Sequence, residues 1–416
     1  MSPAPVAQSS FRSPRRYRTL RFRLTGKKPD RIQGWRERPV LVSLPPVVGV
    51  TPSDKPPVRI FVGTEPEQYR AERVLVFSIL KHRDPARAYE IHLMKDLTGF
   101  DRNNWWTGFT SYRYAIPDLA GRAGRAIYND VDQIYFADPA ELFDLDMKGA
   151  AALAISDEES SVMLIDCERL ASVWHEDEAH RVHSSVHFQK LAAGAGLWGS
   201  MAGDWNARDF EFTPGQSRLL HYTTLYKQPW HPFPELFKYQ HNTEGHFWHA
   251  LEAEADAAGY TIFSAATPSP DFLALRQRGG PSPARPPAPA VQARIRRLAG
   301  GGSVAIPATF DAIAPADVVA AVDLLERYPE DDIPWVLAAL FKAARKSLFI
   351  SVNCRGIANL AAADSAHLTH QSAKWWQSQI ETAARMAPGV KWTLALARDN
   401  GGAFPMLRRE RVISRV

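Results

Sequence analysis

The sequence feature that most constrains the fold is a short apolar run ending in two acidic residues, A-I-Y-N-D-V-D at residues 126–132. Such a run is typical of a buried strand that emerges at the edge of a sheet. Because strand side chains alternate between faces, Asp130 and Asp132 are expected to point the same way. Two nearby carboxylates raise each other's pKa, and a hard divalent cation removes the conflict. The motif therefore predicts either a metal site or a solvated strand end.

Strands and helices alternate around this motif. The segments 58–63 and 91–94 have the pattern of strands, and residues 68–80 between them have the apolar spacing of a helix. This order predicts an α/β fold in which the two strands are parallel. Ligands of such sheets bind outside the carboxyl ends of the strands. We therefore expect Thr64, after the first strand, to face the same crevice as Asp130 and Asp132.

Three further polar residues are candidates for this crevice. His221 ends a short apolar strand, and Lys227 stands just before a rigid Pro-Trp pair. A nitrogen ligand added to carboxylates suits Mn²⁺ better than Ca²⁺, and a lysine offers a point charge to a diphosphate. Arg113 precedes the acidic strand, where its forked cation could hold a phosphate or sugar oxygen. A helix-surface arginine without a ligand is the alternative.

Composition and charge exclude several classes of protein. With 45% hydrophobic residues and twelve tryptophans, the chain can bury a large core, and no apolar run reaches the roughly 20 residues that span a bilayer. Two cysteines, Cys167 and Cys354, predict no disulfide framework, so we expect a cytoplasmic protein. Residues 1–38 hold eleven lysines and arginines against two acids, so they carry +9 while the whole chain carries +5. Residues 12–38 could bind an anionic membrane surface peripherally or form a solvated tail, and no nucleic-acid partner is expected.

The candidate residues also occur in an order that matches a known family. The marks are Phe61-Val62-Gly63-Thr64, Ser111-Tyr112-Arg113, Tyr128-Asn129-Asp130-Val131-Asp132, Ser160-Ser161 with the apolar run after it, Trp205-Asn206, and the stretch from His221 to Trp230. Over residues 58–262 this order resembles the retaining, metal-dependent glycosyltransferases of family 8, which are glycogenin-like and have the GT-A fold. The sequence departs from that pattern in having Thr224 for the loop glycine and Gln228 inserted before the Pro-Trp pair.

The resemblance implies both an activity and a set of site residues. It implies a hexosyltransferase-type enzyme that moves a sugar from a nucleotide-diphosphate sugar, UDP-linked, to an unknown glycan, lipid or protein acceptor, with retention of configuration. A binding or scaffold protein that has lost transfer is the alternative. The implied residues are Asp130, Asp132 and His221 for Mn²⁺ or Mg²⁺, Lys227 for the diphosphate, Thr64 and Tyr69 for the base, Arg113 for the phosphates or sugar, Ser160 and Ser161 for the substrate loop, and Gln189 beside the reacting sugar.

The second half predicts a separate, smaller α/β domain. We predict a basic arm over 1–56, the GT-A domain over 57–264, a Pro-rich extended linker over 265–300 with seven prolines, and the second domain over 301–416. Residues 322–352 resemble the later half of a class I S-adenosylmethionine methyltransferase, but no Gly-rich turn follows a first strand. We therefore expect a degenerate, non-methylating domain, with a bifunctional enzyme as the alternative.

Overall fold

The computed structural model describes residues 35–101, 107–156, 158–355, 366–399 and 411–415, together with Leu20. The described residues belong to two compact units, Met1–Ala255 and Asp256–Val416. Among them, no helix is both long enough and apolar enough to cross a membrane. Most of the basic segment 12–38 lies outside the described residues, so its contact with a membrane surface stays a prediction.

The first unit is built on a seven-stranded mixed sheet. Its strand order is β1-β3-β2-β4-β7-β6-β8, with β2 parallel to both β3 and β4 and with β1 and β7 antiparallel to their neighbours. The strands are β1 Val40–Leu44, β2 Val58–Gly63, β3 Tyr89–Met94, β4 Arg125–Asp130, β6 Ala152–Ala154, β7 Val162–Asp166 and β8 Trp198–Ser200. This confirms the predicted α/β class with a Rossmann-like mixed sheet.

Helices and short 3₁₀ turns connect these strands. The helices are α1 Tyr69–His82, α2 Ile116–Leu119, α3 Pro139–Phe143, α4 Cys167–Leu170, α5 Glu176–Arg181, α6 Ser185–Gly194 and α7 Gly245–Ala257. The first of them shows why the sequence folds this way. Val74, Leu75 and Ile79 are fully buried, and most other residues of α1 between 71 and 79 are buried too, so the helix is packed on most of its faces. Its first turn holds Glu72 and its last turn Lys81, so both charges suit the helix dipole.

One strand lies inside the segment predicted to be a basic arm. Residues 40–44 form β1, which pairs antiparallel with β3 at the edge of the sheet. Val40 and Val42 are buried, whereas Leu41 between them is exposed, as the alternation of strand side chains requires. Within the predicted basic, partly disordered arm over 1–56, these residues are therefore an ordered strand, because their apolar alternation outweighs the basic composition around them.

A second, three-stranded sheet lies beside the acidic strand end. It contains β5 Gln133–Tyr135, β9 Ala207–Arg208 and β10 Leu219–His221 in the order β5-β10-β9. β10 runs antiparallel to β5, with His221 opposite Gln133. Since β5 starts directly after Asp132, this pairing brings His221 next to the two acidic residues.

The second unit has its own five-stranded sheet in the order β11-β12-β13-β14-β15. The strands are β11 Val304–Ala305, β12 Ala316–Val322, β13 Ala344–Arg355, β14 Lys391–Asp399 and β15 Arg411–Arg415, and the helices are α8 Pro270–Gln277, α9 Pro289–Ala299, α10 Ile333–Ala343 and α11 Ala373–Arg385. The first four strands are parallel and β15 is antiparallel at the edge. This is the smaller α/β domain expected from the sequence.

The region 265–300 differs from the extended linker predicted from its prolines. It contains α8 and α9, and Ile295 of α9 packs into the core against Val318 and Phe349. Both helices have proline at the first turn, where the missing N–H costs no hydrogen bond and the fixed φ favours the helix. Prolines at such positions start helices instead of excluding them.

The glycine run after α9 ends this helix. Gly300 has φ of +54° and stands directly after Ala299, the last residue of α9. A left-handed glycine in this place is a common helix end. The run therefore does not form a phosphate-binding turn between a strand and a helix.

Candidate metal and donor site

Two strand ends and one turn assemble a buried cluster of acidic and imidazole groups. Asp130 is the last residue of β4, Asp132 precedes β5, and His221 ends β10. Each offers a ligand atom that lies within 4.8 Å of the other two, and all three residues are buried. The residues that the sequence predicted as metal ligands are thus brought together.

One oxygen of Asp130 is fully engaged by two donors. Its Oδ1 accepts hydrogen bonds from Arg113 Nη2, at 2.7 Å, and from the hydroxyl of Tyr128. Gly63 provides the space for that hydroxyl, because a Cβ at this position would lie 2.6 Å from it. The other oxygen, Oδ2, accepts no hydrogen bond from a described residue. Asp130 therefore keeps one oxygen for a ligand.

Asp132 has the same division between its two oxygens. Its Oδ2 accepts a hydrogen bond from Gln228 Nε2 at 2.8 Å. Its Oδ1 lies 3.3 Å from His221 Nε2, which is an ion pair when the imidazole is protonated, but this buried oxygen accepts no hydrogen bond. A buried acceptor without a partner is costly, by about 1–3 kcal/mol, and calls for an explanation. A cation that binds at this oxygen provides one.

The ring of His221 is oriented by an asparagine. Its Nδ1 lies 2.9 Å from Asn206 Oδ1 and 3.3 Å from Ser161 Oγ, and Asn206 Nδ2 donates to that same serine oxygen. Since the asparagine oxygen can only accept, the proton of a neutral ring belongs on Nδ1. This tautomer leaves the Nε2 lone pair directed toward Asp132, the arrangement that second-shell partners give to metal-binding histidines.

Burial and neighbouring charges act in opposite directions on each pKa of this cluster. Burial raises the pKa of Asp130 to about 6, although Arg113 works against this effect. Burial alone would lower the pKa of His221, but the neighbouring Asp132 carboxylate raises it to about 9. Without a cation, the cluster is therefore stabilised by a proton on the imidazole, which a metal ion would displace.

The donor set fits a hard or borderline divalent cation. Two carboxylate oxygens and, once its proton is displaced, one imidazole nitrogen can bind, and oxygen with nitrogen ligands suits Mn²⁺ and Mg²⁺. The unpartnered Asp132 Oδ1 is the observation that favours this fit over a purely structural cluster.

The other predicted site residues lie at varied positions around the cluster. Arg113 donates through Nη1 to Ser160 Oγ at 3.0 Å, so both ends of its guanidinium contact the chain itself. Lys227, in the 3₁₀ turn Leu225–Lys227, is half-buried and its ammonium group forms no ion pair with a described residue. It is therefore available to an anion.

Thr64 and Tyr69 lie at the carboxyl end of β2 and at the start of α1. The hydroxyl of Thr64 donates to Glu72 Oε2 at 3.1 Å, and Tyr69 is half-buried. Gln189, in α6, is buried and its Nε2 has no hydrogen-bond partner. The neighbouring Phe188 stacks on Tyr114, with 4.2 Å between ring centroids. The roles of these residues toward a donor stay predictions.

Three residues that sequence reasoning named without these roles organise the cluster. Tyr128 donates a hydrogen bond to one oxygen of Asp130, and Gln228 donates to one oxygen of Asp132. Asn206 orients the ring of His221. The signal for Tyr128 was its position two residues before Asp130 on one strand, which places both side chains on the same face. The other two come from distant parts of the chain, where no local pattern indicates the contact.

Comparisons with known proteins give weak similarities to solved structures. No protein-family model matches the sequence, and no curated protein matches it. The structure is similar to WbbM, a bifunctional glycosyltransferase, with 11% identity, a TM-score of 0.33, and coverage of 49% of this chain and 53% of that one. The chain thus spans about half the length of WbbM.

Two further similar structures are also of glycosyltransferases. The galactosyltransferase LgtC, in complex with donor and acceptor sugar analogs, has 12% identity and a TM-score of 0.34, over 47% of this chain and 96% of that one. The glycosyltransferase GlyE of Streptococcus pneumoniae TIGR4 has 13% identity and a TM-score of 0.35, over 81% of this chain and 80% of that one.

Proposed function

We propose that the first unit is a metal-dependent glycosyltransferase that uses a nucleotide-diphosphate sugar, with UDP as the nucleotide. The observation that carries this proposal is the buried group of Asp130, Asp132 and His221, in which each aspartate keeps one oxygen without a hydrogen bond. Lys227, with no ion pair to a described residue, follows six positions after His221. A cation site together with an ammonium group that has no ion pair would suit a diphosphate.

The roles of the residues follow from the charge that such a reaction develops. A bound Mn²⁺ or Mg²⁺ supplies positive charge where the nucleoside diphosphate leaves. Asp130, Asp132 and His221 would hold the cation, and Lys227 would place its ammonium group beside the leaving oxygens. Arg113, through its ion pair of 2.7 Å, keeps Asp130 charged. Thr64 and Tyr69 are proposed to line the nucleotide pocket.

Gln189 and the Ser160–Ser161 loop are proposed to face the sugar. The buried amide nitrogen of Gln189 has no partner, so it is a donor available to a sugar hydroxyl. Transfer of a hexose with retention of configuration is part of the proposal and rests on the resemblance to family 8. The acceptor is a glycan, a lipid or a protein.

The experiment is a donor screen with the full chain. We expect release of UDP from one UDP-sugar in the presence of Mn²⁺ and none after chelation. Asp132→Asn should lower this rate about 10³-fold, because loss of the cation removes several kcal/mol of charge stabilisation. Asp146→Asn, at an exposed position of the second D-x-D tripeptide, is the matched control and should keep the rate. Nucleotide-sugar binding without turnover would support a binding or scaffold protein instead.

The second unit is proposed to be a non-methylating domain that serves packing or partner binding. Support comes from the glycine run at 300–302, which ends a helix where a methyltransferase would need a turn after a strand. Calorimetry of the full chain with S-adenosylmethionine should detect no binding. Saturable binding would favour the bifunctional alternative.

A further inference from the structure

Gln228 is the inserted residue at which this sequence departs from the family 8 pattern that it resembles. It stands between Lys227 and the Pro229-Trp230 pair and is completely buried. Its Nε2 donates to Asp132 Oδ2 at 2.8 Å and to the carbonyl oxygen of Tyr222 at 3.3 Å. A side chain from a distant loop thus binds one of the two acidic residues directly.

The orientation of this amide is determined by its partners. A carboxylate and a backbone carbonyl are both acceptors, so the NH₂ group of Gln228, with its two donors, must face them. The amide oxygen then points away, and it has no hydrogen-bond partner. Rotating the amide by half a turn would set its oxygen against the carboxylate. The Asp132 side chain is therefore held in one orientation.

The loop that carries Gln228 is anchored by the packing of Trp230, two residues further along the chain. Trp230 Nε1 donates to Gln68 Oε1 at 2.6 Å, and its ring packs against Tyr222 and Trp248 with centroid distances of 5.8 and 5.4 Å. Pro229 between them limits backbone rotation. The amide is consequently presented to Asp132 by a rigid loop and not by a mobile side chain.

We propose that Gln228 is a positioning residue that restricts Asp132 to one ligand oxygen and thereby makes the site prefer Mn²⁺ or Mg²⁺ over Ca²⁺. Gln228 occupies Oδ2, so Oδ1 alone faces His221. Asp130 is restricted in the same way, because Arg113 and Tyr128 occupy its Oδ1. Ca²⁺ takes six to eight oxygens and often binds carboxylates through both, whereas Mg²⁺ takes six ligands at short range. The inference rests on the metal site of the proposed function.

The test compares metal affinities of the full chain by calorimetry and by Mn²⁺ electron paramagnetic resonance. Gln228→Met keeps the volume of the side chain and removes its donor. We expect its Mn²⁺ affinity to fall about 10- to 100-fold, the usual effect of losing an outer hydrogen-bond partner. Its Ca²⁺ affinity should stay or increase, because Asp132 can then offer both oxygens.

Gln379→Met is the matched control. It removes a buried amide from α11 of the second unit. Its thermal midpoint should fall while its Mn²⁺ affinity stays. Equal loss of Mn²⁺ affinity in both variants, or a Gln228→Met variant within twofold of wild type, would overturn the proposal. If the wild type binds Mn²⁺ with the expected selectivity but releases no UDP from any donor, only the proposed function fails.

Discussion

Each unit of this protein contains an aspartate–histidine pair just after a parallel strand, yet the two pairs differ in what they leave unsatisfied. In the first unit, Asp132 Oδ1 is buried without a hydrogen bond beside His221. In the second, Asp323 follows β12, and its Oδ1 lies 2.7 Å from His367 Nε2 while Arg327 donates to Oδ2. Both oxygens of Asp323 therefore have positive or donating partners.

The charges of the second pair are balanced within the protein. Burial would raise the pKa of Asp323, but the hydrogen bonds from Arg327 and His367 lower it below its usual value. The first cluster holds two carboxylates, one guanidinium and one imidazole, and burial raises the pKa of its Asp130. The comparison teaches that unsatisfied ligand atoms, and not the residue types, distinguish a candidate metal site from a structural ion cluster.

The largest effect on Mn²⁺ affinity should appear when each of the two histidines is replaced in turn. His221→Gln removes a candidate metal ligand, so Mn²⁺ affinity should fall by more than the 10- to 100-fold that an outer partner contributes. His367→Gln should leave Mn²⁺ affinity unchanged, because its aspartate is satisfied by Arg327. Calorimetric titration of both variants measures this. Equal losses would show that the comparison is wrong.

Asp323→Asn tests whether the second cluster is structural. The variant leaves the guanidinium of Arg327, with 3% of its side chain exposed, without its anionic partner. Asparagine tolerates the φ of +52° found at this position, so backbone strain does not contribute. We expect a loss of about 2 kcal/mol in the free energy of unfolding, below the value for a fully buried pair because Asp323 is partly exposed. Denaturant unfolding measures the loss, and an unchanged midpoint would contradict it.

A smaller, pH-dependent effect should come from Glu326 in the same unit. Burial raises the pKa of this carboxyl group to about 7, with Asp323 adding to the shift and Arg327 opposing it. A carboxyl whose pKa is higher in the folded state stabilises at low pH and loses this contribution as pH rises from about 4.5 through 7. The thermal midpoint should therefore fall between pH 5 and pH 8.

Glu326→Gln is the control for this pH dependence. The amide has the same shape and does not titrate, so the fall in midpoint over this pH range should shrink by about 3 °C. Differential scanning calorimetry at the two pH values makes the comparison. The same slope in both proteins would assign the pH dependence to other groups.

The smallest effect is expected at the second D-x-D tripeptide. Asp146 is exposed, and its Oδ1 accepts a hydrogen bond from the backbone N–H of Lys148. Asp146→Ala should cost about 0.5 kcal/mol, the value of a turn hydrogen bond near the surface. Thermal unfolding measures the loss of stability, and Mn²⁺ titration checks that metal affinity does not change. A weaker Mn²⁺ complex would place this tripeptide in the site.

Much of the first unit follows from local sequence patterns. Strands β2 and β3, helix α1 and the strand end at His221 were expected within a few residues, because each has a clear apolar period and a polar boundary. The candidate metal group was expected too, since acidic residues two apart at a strand end must share a face. Strand β1 was missed because its five residues lie within a basic and proline-containing context.

The hydrogen bonds that orient the candidate ligands could not be predicted from the sequence. Gln228 reaches Asp132 across 96 positions, and Asn206 meets His221 through the pairing of short strands. A buried amide in a loop has no period and no local partner that would indicate its contact. The prolines of 265–300 indicated an extended linker and not helices for a related reason. A proline at a helix start and a proline in an extended chain look alike in sequence.

The three-residue pairing of β5 with β10 also determines when the site can form during folding. β5 follows directly after Asp132, and its partner strand enters the chain with His221. Contacts between such distant segments form slowly, because a large loop must close first. The two aspartates of a newly made chain are synthesised before His221, so the candidate metal group can be complete only after β10 has paired with β5.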